Sequence, residues 1–198
     1  MKIDEPYFPT VSSNQINDLQ FGNERQKKAY FAIQQLNLFN KLSKYSPFLA
    51  GTIPLDIDVD SSDLDIICES VDIAEFESTL KFHFEELESF TSYTQNVRDV
   101  PTFIACFKYL EFDFEFFCQS VPVRKQCAYI HFVIEFRLLT LGGVKAHESI
   151  RHLKRQGIKT EPAFALYFKL AGDPYEELAK MIDFSDRQLQ EIIDSVHS

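Results

Sequence analysis

Two stretches carry the reading of this chain: Asp63-Leu64-Asp65-Ile66 and Glu111-Phe112-Asp113-Phe114-Glu115-Phe116-Phe117. Residues two apart in an extended strand face the same way, so Asp63 and Asp65 project together while Leu64 and Ile66 enter a core. The second stretch alternates acid and phenylalanine. That pattern predicts a strand with Glu111, Asp113 and Glu115 on one face and the rings on the other. Two bare carboxylates on one face repel, which is costly without a cation or a proton to share. Where the two strands are neighbours, Asp113 or Glu115 adds a third carboxylate; the spacing alone does not rank them. The plain alternative is a solvated acidic face, on an edge strand in the second case.

Working outward, Phe48-Leu49-Ala50 is a short apolar run that ends at Gly51-Thr52, a strand entering a turn ten residues before Asp63. Upstream, Tyr30, Ile33, Leu36 or Leu38, and Leu42 recur at helical spacing. They predict a helix from Asn23, its cap, to about Tyr45, stopped by Pro47. The first 20 residues have the look of an irregular arm. Downstream, a helix is expected from Asp72 to about Leu87, then extended segments over Thr91 to Val97 and Thr102 to Tyr109. After Pro122 the spacing turns helical throughout, over Val123 to Leu141, Val144 to Gln156, Pro162 to Leu170, Pro174 to Ile182 and Asp186 to Val196. The expected organisation is an α/β core over residues 1–121 and a helical region over 122–198 packed on it.

These elements resemble the nucleotidyltransferase superfamily. Ala50-Gly51-Thr52, a ten-residue spacer and Asp63-Leu64-Asp65-Ile66 match its hydrophobic-Gly-Gly/Ser turn followed by an acid-hydrophobic-acid-hydrophobic strand. The later acid on a separate strand matches Phe112 to Phe116. More narrowly, Phe114 to Phe117 with Pro122, Gln126, Tyr129, His131, Glu135 and Arg137, and Lys159-Thr160-Glu161-Pro162-Ala163-Phe164, resemble a small bacterial family. It is catalogued as a domain of unknown function with a predicted nucleotidyltransferase fold. The resemblance implies an α/β (α+β) fold, a mixed sheet flanked by helices with a C-terminal helical half. It implies Mg²⁺ or Mn²⁺ on Asp63, Asp65 and Asp113 or Glu115, with Asp63, Asp65 and Glu115 as the catalytic set. A nucleoside triphosphate would sit at Gly51 and Thr52, its nucleotidyl group passing to a hydroxyl acceptor. The alternative is a catalytically inert module of that fold, binding a ligand or partner as an antitoxin does. Thr52 departs from the usual Gly or Ser, adding a methyl to a tight turn, and Pro54 removes a backbone donor.

Composition narrows the partners. A net charge of −10 disfavours a general nucleic-acid binder, so a small-molecule or protein acceptor is expected. Twenty phenylalanines and no tryptophan predict an aromatic core. Cys68, Cys106, Cys118 and Cys127 form no CxxC pair and suggest buried thiols in a reducing compartment. With no basic-then-apolar leader and no apolar run near the roughly 20 residues a bilayer needs, the expected location is the cytoplasm, away from membranes.

Weaker patterns remain. Asp56-Ile57-Asp58-Val59-Asp60 invites a calcium-loop reading but has Ser61 at the turn position and Ile67 at the twelfth, so a solvated acidic spacer is expected. His131 and Glu135 share a helix face, as a hydrogen-bonded structural pair before a catalytic one. Arg124 and His131 are also spaced loosely like the Arg–His pair of helical ribonuclease toxins. Lys145, His147, Arg151, His152, Lys154, Arg155 and Lys159 form a basic run, either a solvated helix face or a patch for a triphosphate or acidic partner.

Overall fold

Alternating polarity becomes a sheet here because each strand has one apolar face to bury. A computed structural model of the protein describes residues 14–196. In chain order the elements are α1 (Asn14–Leu19), α2 (Glu24–Gln35), α3 (Leu38–Lys41), β1 (Phe48–Leu49), β2 (Leu64–Glu69), α4 (Ile73–Phe84), β3 (Glu88–Val97), β4 (Val100–Tyr109) and β5 (Phe112–Gln119), followed by α5 (Cys127–Arg155), α6 (Thr160–Phe168), α7 (Pro174–Lys180) and α8 (Asp186–Val196). The described residues form two compact units. A sheet unit holds Asn14–Pro54 and Ser62–Tyr129; a helical unit holds Leu55–Ser61 and residues 130–196.

The sheet is mixed and five-stranded, in the order β1-β2-β5-β4-β3. β1 runs antiparallel to β2, β2 parallel to β5, and β5, β4 and β3 antiparallel in succession. β5 is therefore central, not the edge strand its acids allowed. Leu64, Ile66, Phe112, Phe114, Phe116, Phe103 and Phe107 line one face and join Phe76, Leu80 and Phe84 of α4 and Ile33, Leu38 and Leu42 in one core. Rings carry that core, with Phe107 5.1 Å from Phe114 and 5.4 Å from Phe84. Such pairs add about 0.5–1.5 kcal/mol each beyond the area they bury. The opposite face carries the acids.

The caps match the sequence. The Asn23 side chain accepts from the Gln26 N–H at 2.9 Å, and Gln26 Oε1 accepts from the Asn23 N–H at 3.0 Å, a reciprocal capping box. Asp72 likewise caps α4 by accepting from the Glu75 N–H. The long helix expected from Asn23 to Tyr45 ends earlier than Pro47. Asn37 takes the left-handed conformation (φ 49°), which Asn tolerates, and α3 restarts with Leu38 buried. Of the expected N-terminal arm, residues 14–19 instead form α1, with Ile16 and Leu19 buried in the core; residues 1–13 lie outside the described residues.

In the helical unit α6 packs against α7 and α8. The two helices expected on either side of Gly142-Gly143 run on as α5, kinked where Gly143 leaves helical backbone (φ 61°, ψ −157°). Residues 123–125, expected to begin that helix, form a separate 3₁₀ turn. By length and composition α5 is apolar enough to cross a membrane, contrary to the expectation from short apolar runs. Its buried His131 and Glu135 are polar groups of a kind that core helices satisfy internally.

Candidate active site

The register of two parallel strands assembles the site. Asp65 of β2 lies opposite Glu115 of β5, and Asp63 stands one residue before β2 on the same face. Carboxylate oxygens of Asp63, Asp65 and Glu115 lie within 4.8 Å of one another, all three half-buried. Burial first, and then the Asp63 charge, push the Glu115 carboxyl above the usual range. Ionising Glu115 therefore costs stability as pH rises through its raised pKa, and a cation would remove that cost. On β4, Cys106 faces Glu115 in the ladder. Its thiol is pushed up by burial and then by Glu115, Asp63 and Asp113.

Asp113, offered as an alternative ligand, stands outside this group. It precedes the stretch of β5 that pairs with β2, and its exposed carboxylate lies 3.6 Å from Lys108 Nζ across the β4–β5 ladder. Glu111 is exposed as well and pairs with Lys28 at 3.0 Å. Among the three acids of β5 and its approach, only Glu115 meets Asp63 and Asp65.

Gly51 forms the other wall. Its φ is +73°, and a Cβ built there would stand 2.0 Å from Asp65 Oδ2 and 3.0 Å from its Cγ. Glycine is thus required twice, for the backbone conformation and for the approach of the carboxylate. The Ala50 N–H donates to the Asp65 carbonyl at 2.8 Å, tying the turn to β2. The Gln26 side chain, already part of the α2 cap, donates to the Ile53 carbonyl at 2.9 Å, and Arg25 donates to the Ser62 carbonyl at 2.8 Å. Thr52 Oγ1 donates to Ser62 Oγ at 3.2 Å. Nothing in the sequence signals the parts played by Arg25 and Gln26, because both reach partners far along the chain. Gly51→Ala is expected to cost about 1–3 kcal/mol, from the left-handed backbone and the displaced Asp65 side chain. Urea denaturation measures the loss, and a Mn²⁺ titration reports whether the carboxylate set survives.

The weaker patterns resolve into structure within the helical unit. The spacer is not simply solvated: Leu55 and Ile57 are buried, and Asp56 (φ 56°) pairs with Arg151 at 2.7 Å. The basic run is thereby partly consumed, with Lys154 donating to Thr160 Oγ1 at 2.8 Å and His152 beside Gln156 at 2.9 Å. His131 pairs with Glu161 (Nδ1 to Oε1, 3.2 Å) and meets the Tyr175 carbonyl at 3.0 Å through Nε2, so its ion-pair partner is not Glu135. Burial opposes ionisation of Glu161, but the hydrogen bond from His131 and nearby charge outweigh it and hold that carboxyl low. Burial, then Glu161, push the Glu135 carboxyl well above its usual range. Of the cysteines, Cys68 and Cys118 are buried, while Cys127 is exposed and accepts from Arg98 at 3.0 Å.

Residues 31–181 match the family described as Domain of unknown function (DUF4269). The chain belongs to the DUF4269 family. No curated protein matches it. Among solved structures, this DUF4269 chain is similar to a chain of a GLD-2/RNP-8 complex, at 10% identity and TM-score 0.51, covering 93% of this chain and 82% of that one. It is also similar to Cid1, described by its RNA terminal uridylyl transferase activity, at 11% identity and TM-score 0.48, covering 84% and 50%. A Cid1 poly(U) polymerase structure with Mg 3'-dATP bound gives 12% identity and TM-score 0.49, covering 84% and 52%. The DUF4269 chain spans about half the length of the Cid1 chains it matches. At such identities the likeness concerns fold alone, and the fold shared with the GLD-2/RNP-8 chain is the nucleotidyltransferase-like one that the motif implied.

Proposed function

We propose that this DUF4269 chain is a metal-dependent nucleotidyltransferase that moves a nucleotidyl group from a nucleoside triphosphate to a hydroxyl acceptor. The observation that carries the reading is the convergence of Asp63, Asp65 and Glu115 beside the Gly51 turn, on a nucleotidyltransferase-like fold. Three hard oxygen donors suit Mg²⁺ or Mn²⁺, which prefer carboxylates and keep several waters. When bound, the metal supplies charge neutralisation on the phosphates and polarisation of the reacting oxygens. Asp63, Asp65 and Glu115 would hold it, and Gly51, having no side chain, would leave backbone accessible to the triphosphate beside Thr52. In the reaction the acceptor oxygen bonds to the α-phosphorus as the bond to the pyrophosphate oxygen breaks, and the acceptor proton passes to a carboxylate of the set. The −10 net charge favours a small-molecule or protein acceptor over nucleic acid.

A second reading, an inert module of the same fold that binds a partner, draws on Thr52 and Pro54. The Thr52 hydroxyl is engaged with Ser62, and Pro54 offers no N–H to a phosphate. Thermal denaturation with each of the four ribonucleoside triphosphates, with and without Mg²⁺, separates the two. At about 100 Kd of ligand the expected stabilisation is about 2.7 kcal/mol, roughly 5–10 °C for a chain of this size, and only when metal and nucleotide are both present. No shift with any triphosphate leaves the inert module.

A further inference from the structure

Both ring nitrogens of His131 meet acceptors in the helical unit. The side chain, 9% exposed on α5, places Nδ1 3.2 Å from Glu161 Oε1 of α6 and Nε2 3.0 Å from the Tyr175 carbonyl of α7. A carbonyl has no proton to give, and neither has an ionised carboxylate. A neutral imidazole carries one N–H, so it satisfies one of these partners and turns a lone pair on the other. The conflict disappears when the ring carries two protons or when Glu161 carries one. Glu161 lies in the first turn of α6, where the helix dipole favours an anion. Burial raises its carboxyl, but the hydrogen bond from His131, its own backbone N–H and the charges of His131 and Lys154 together hold it low.

We propose that His131 is held as the imidazolium and clamps α5 to α6 and α7, so that the cohesion of the helical unit depends on pH. The ring donates from Nδ1 to the Glu161 carboxylate and from Nε2 to the Tyr175 carbonyl. When it deprotonates, one of the two contacts is lost, and with it a tie between helices. The other ionisable groups around the ring do not compete for this role. The Tyr175 ring stands 6.0 Å away by centroids, and burial, then Glu161 and Asp173, push its hydroxyl up, so it stays neutral. Glu135, four residues along α5, also stays protonated, through burial and then Glu161. Lys154, whose charge bears on both carboxylates, favours an ionised Glu161 and so an acceptor at Nδ1. While the ring is charged the clamp contributes in full, and the contribution is lost as pH rises and the proton leaves. At the acid end Glu161 limits it, because a carboxyl held low gives stability that is lost as pH falls through its lowered pKa.

Ring ¹⁵N shifts by NMR test the charge, and thermal melts across pH test the clamp. In wild type at about pH 7, where an unpartnered imidazole is mostly neutral, both nitrogens of one ring are expected to carry hydrogen. Glu161→Gln keeps the size and removes the anion, and its amide can donate to a neutral Nδ1. The ring, identified by its loss in His131→Asn, is expected to be singly protonated at the same pH in Glu161→Gln. The melting temperature of wild type is expected to fall by several degrees relative to His131→Asn as pH rises from about 6 to about 9. His83 and His147, both lowered first by burial, titrate in the two proteins alike and cancel in the difference. A wild type in which none of the five histidine rings keeps two protons at about pH 7 overturns the proposal without any variant. So does a His131→Asn protein whose melting temperature keeps the wild-type pH profile. Neither readout needs metal or nucleotide, so this result stands or falls apart from the nucleotidyltransferase reading.

Discussion

Replacing both Asp63 and Asp65 with asparagine is expected to abolish Mn²⁺-dependent nucleotide binding and to leave the metal-free protein as stable as wild type or more so. Asparagine keeps the size and shape of aspartate, so Leu64 and Ile66 still enter the core from β2. What is lost is charge. Of three carboxylates within 4.8 Å, the variant keeps one, and a divalent cation is left with a single anionic ligand. The expected weakening is at least about 100-fold, which is roughly 2.8 kcal/mol at 1.4 kcal/mol per tenfold. In the absence of metal the same change relieves repulsion, including the part of the Glu115 shift that Asp63 causes. Calorimetric titration of Mn²⁺ and a triphosphate into both proteins measures the first effect, and urea denaturation in chelator the second. Equal binding by the two proteins would remove the metal site and leave only the fold.

Ile134→Asp is expected to be the most destabilising single change, at several kcal/mol against a total of about 5–15 for an ordinary domain. Ile134 lies on α5 with no exposed surface, in a run where Phe132, Val133 and Leu138 are also buried. Its neighbour Glu135 shows what a buried carboxyl demands. Burial and Glu161 push its pKa well up, and the charge of Lys154 only partly offsets them. An aspartate at 134 would be pushed up in the same direction. Its cost is therefore smaller at acid pH, where only the lost apolar packing and a buried neutral carboxyl count, and grows as pH rises through its raised pKa. Ile134→Val, which removes one methylene, should cost only about 0.5–1.5 kcal/mol. Thermal melts of the three proteins at acid and neutral pH check both the size and the sign. Equal melting temperatures at neutral pH would show that this stretch of α5 does not belong to a cooperative core.

Several features could be read along the chain because they depend on neighbours in sequence. Alternation at Leu64–Ile66 and Phe112–Phe116 is a period-two signal, and it predicted both strands and the face each would bury. Asn23 with Gln26, and Asp72 before α4, are caps whose partners lie three residues away. The break expected between Leu141 and Val144 falls where α5 kinks at Gly143, although the two helices run on as one.

Other features depend on which segments meet. Whether Asp113 or Glu115 joins the pair was undecidable from spacing, since both occupy one strand face. The β2–β5 register decides it by setting Asp65 opposite Glu115 and leaving Asp113 to Lys108. The fit of Gly51 against Asp65 Oδ2, the grip of Arg25 and Gln26 on the turn, and the capture of Asp56 by Arg151 join residues 14 to 95 positions apart. So does the preference of His131 for Glu161 over Glu135, four residues along its own helix. The sequence by itself determined the donors, the glycine and the strands that bear them, because residue type and period act locally. Only the tertiary structure decided which carboxylates converge and which charges are spent on ion pairs, because those outcomes follow from strand register and helix packing.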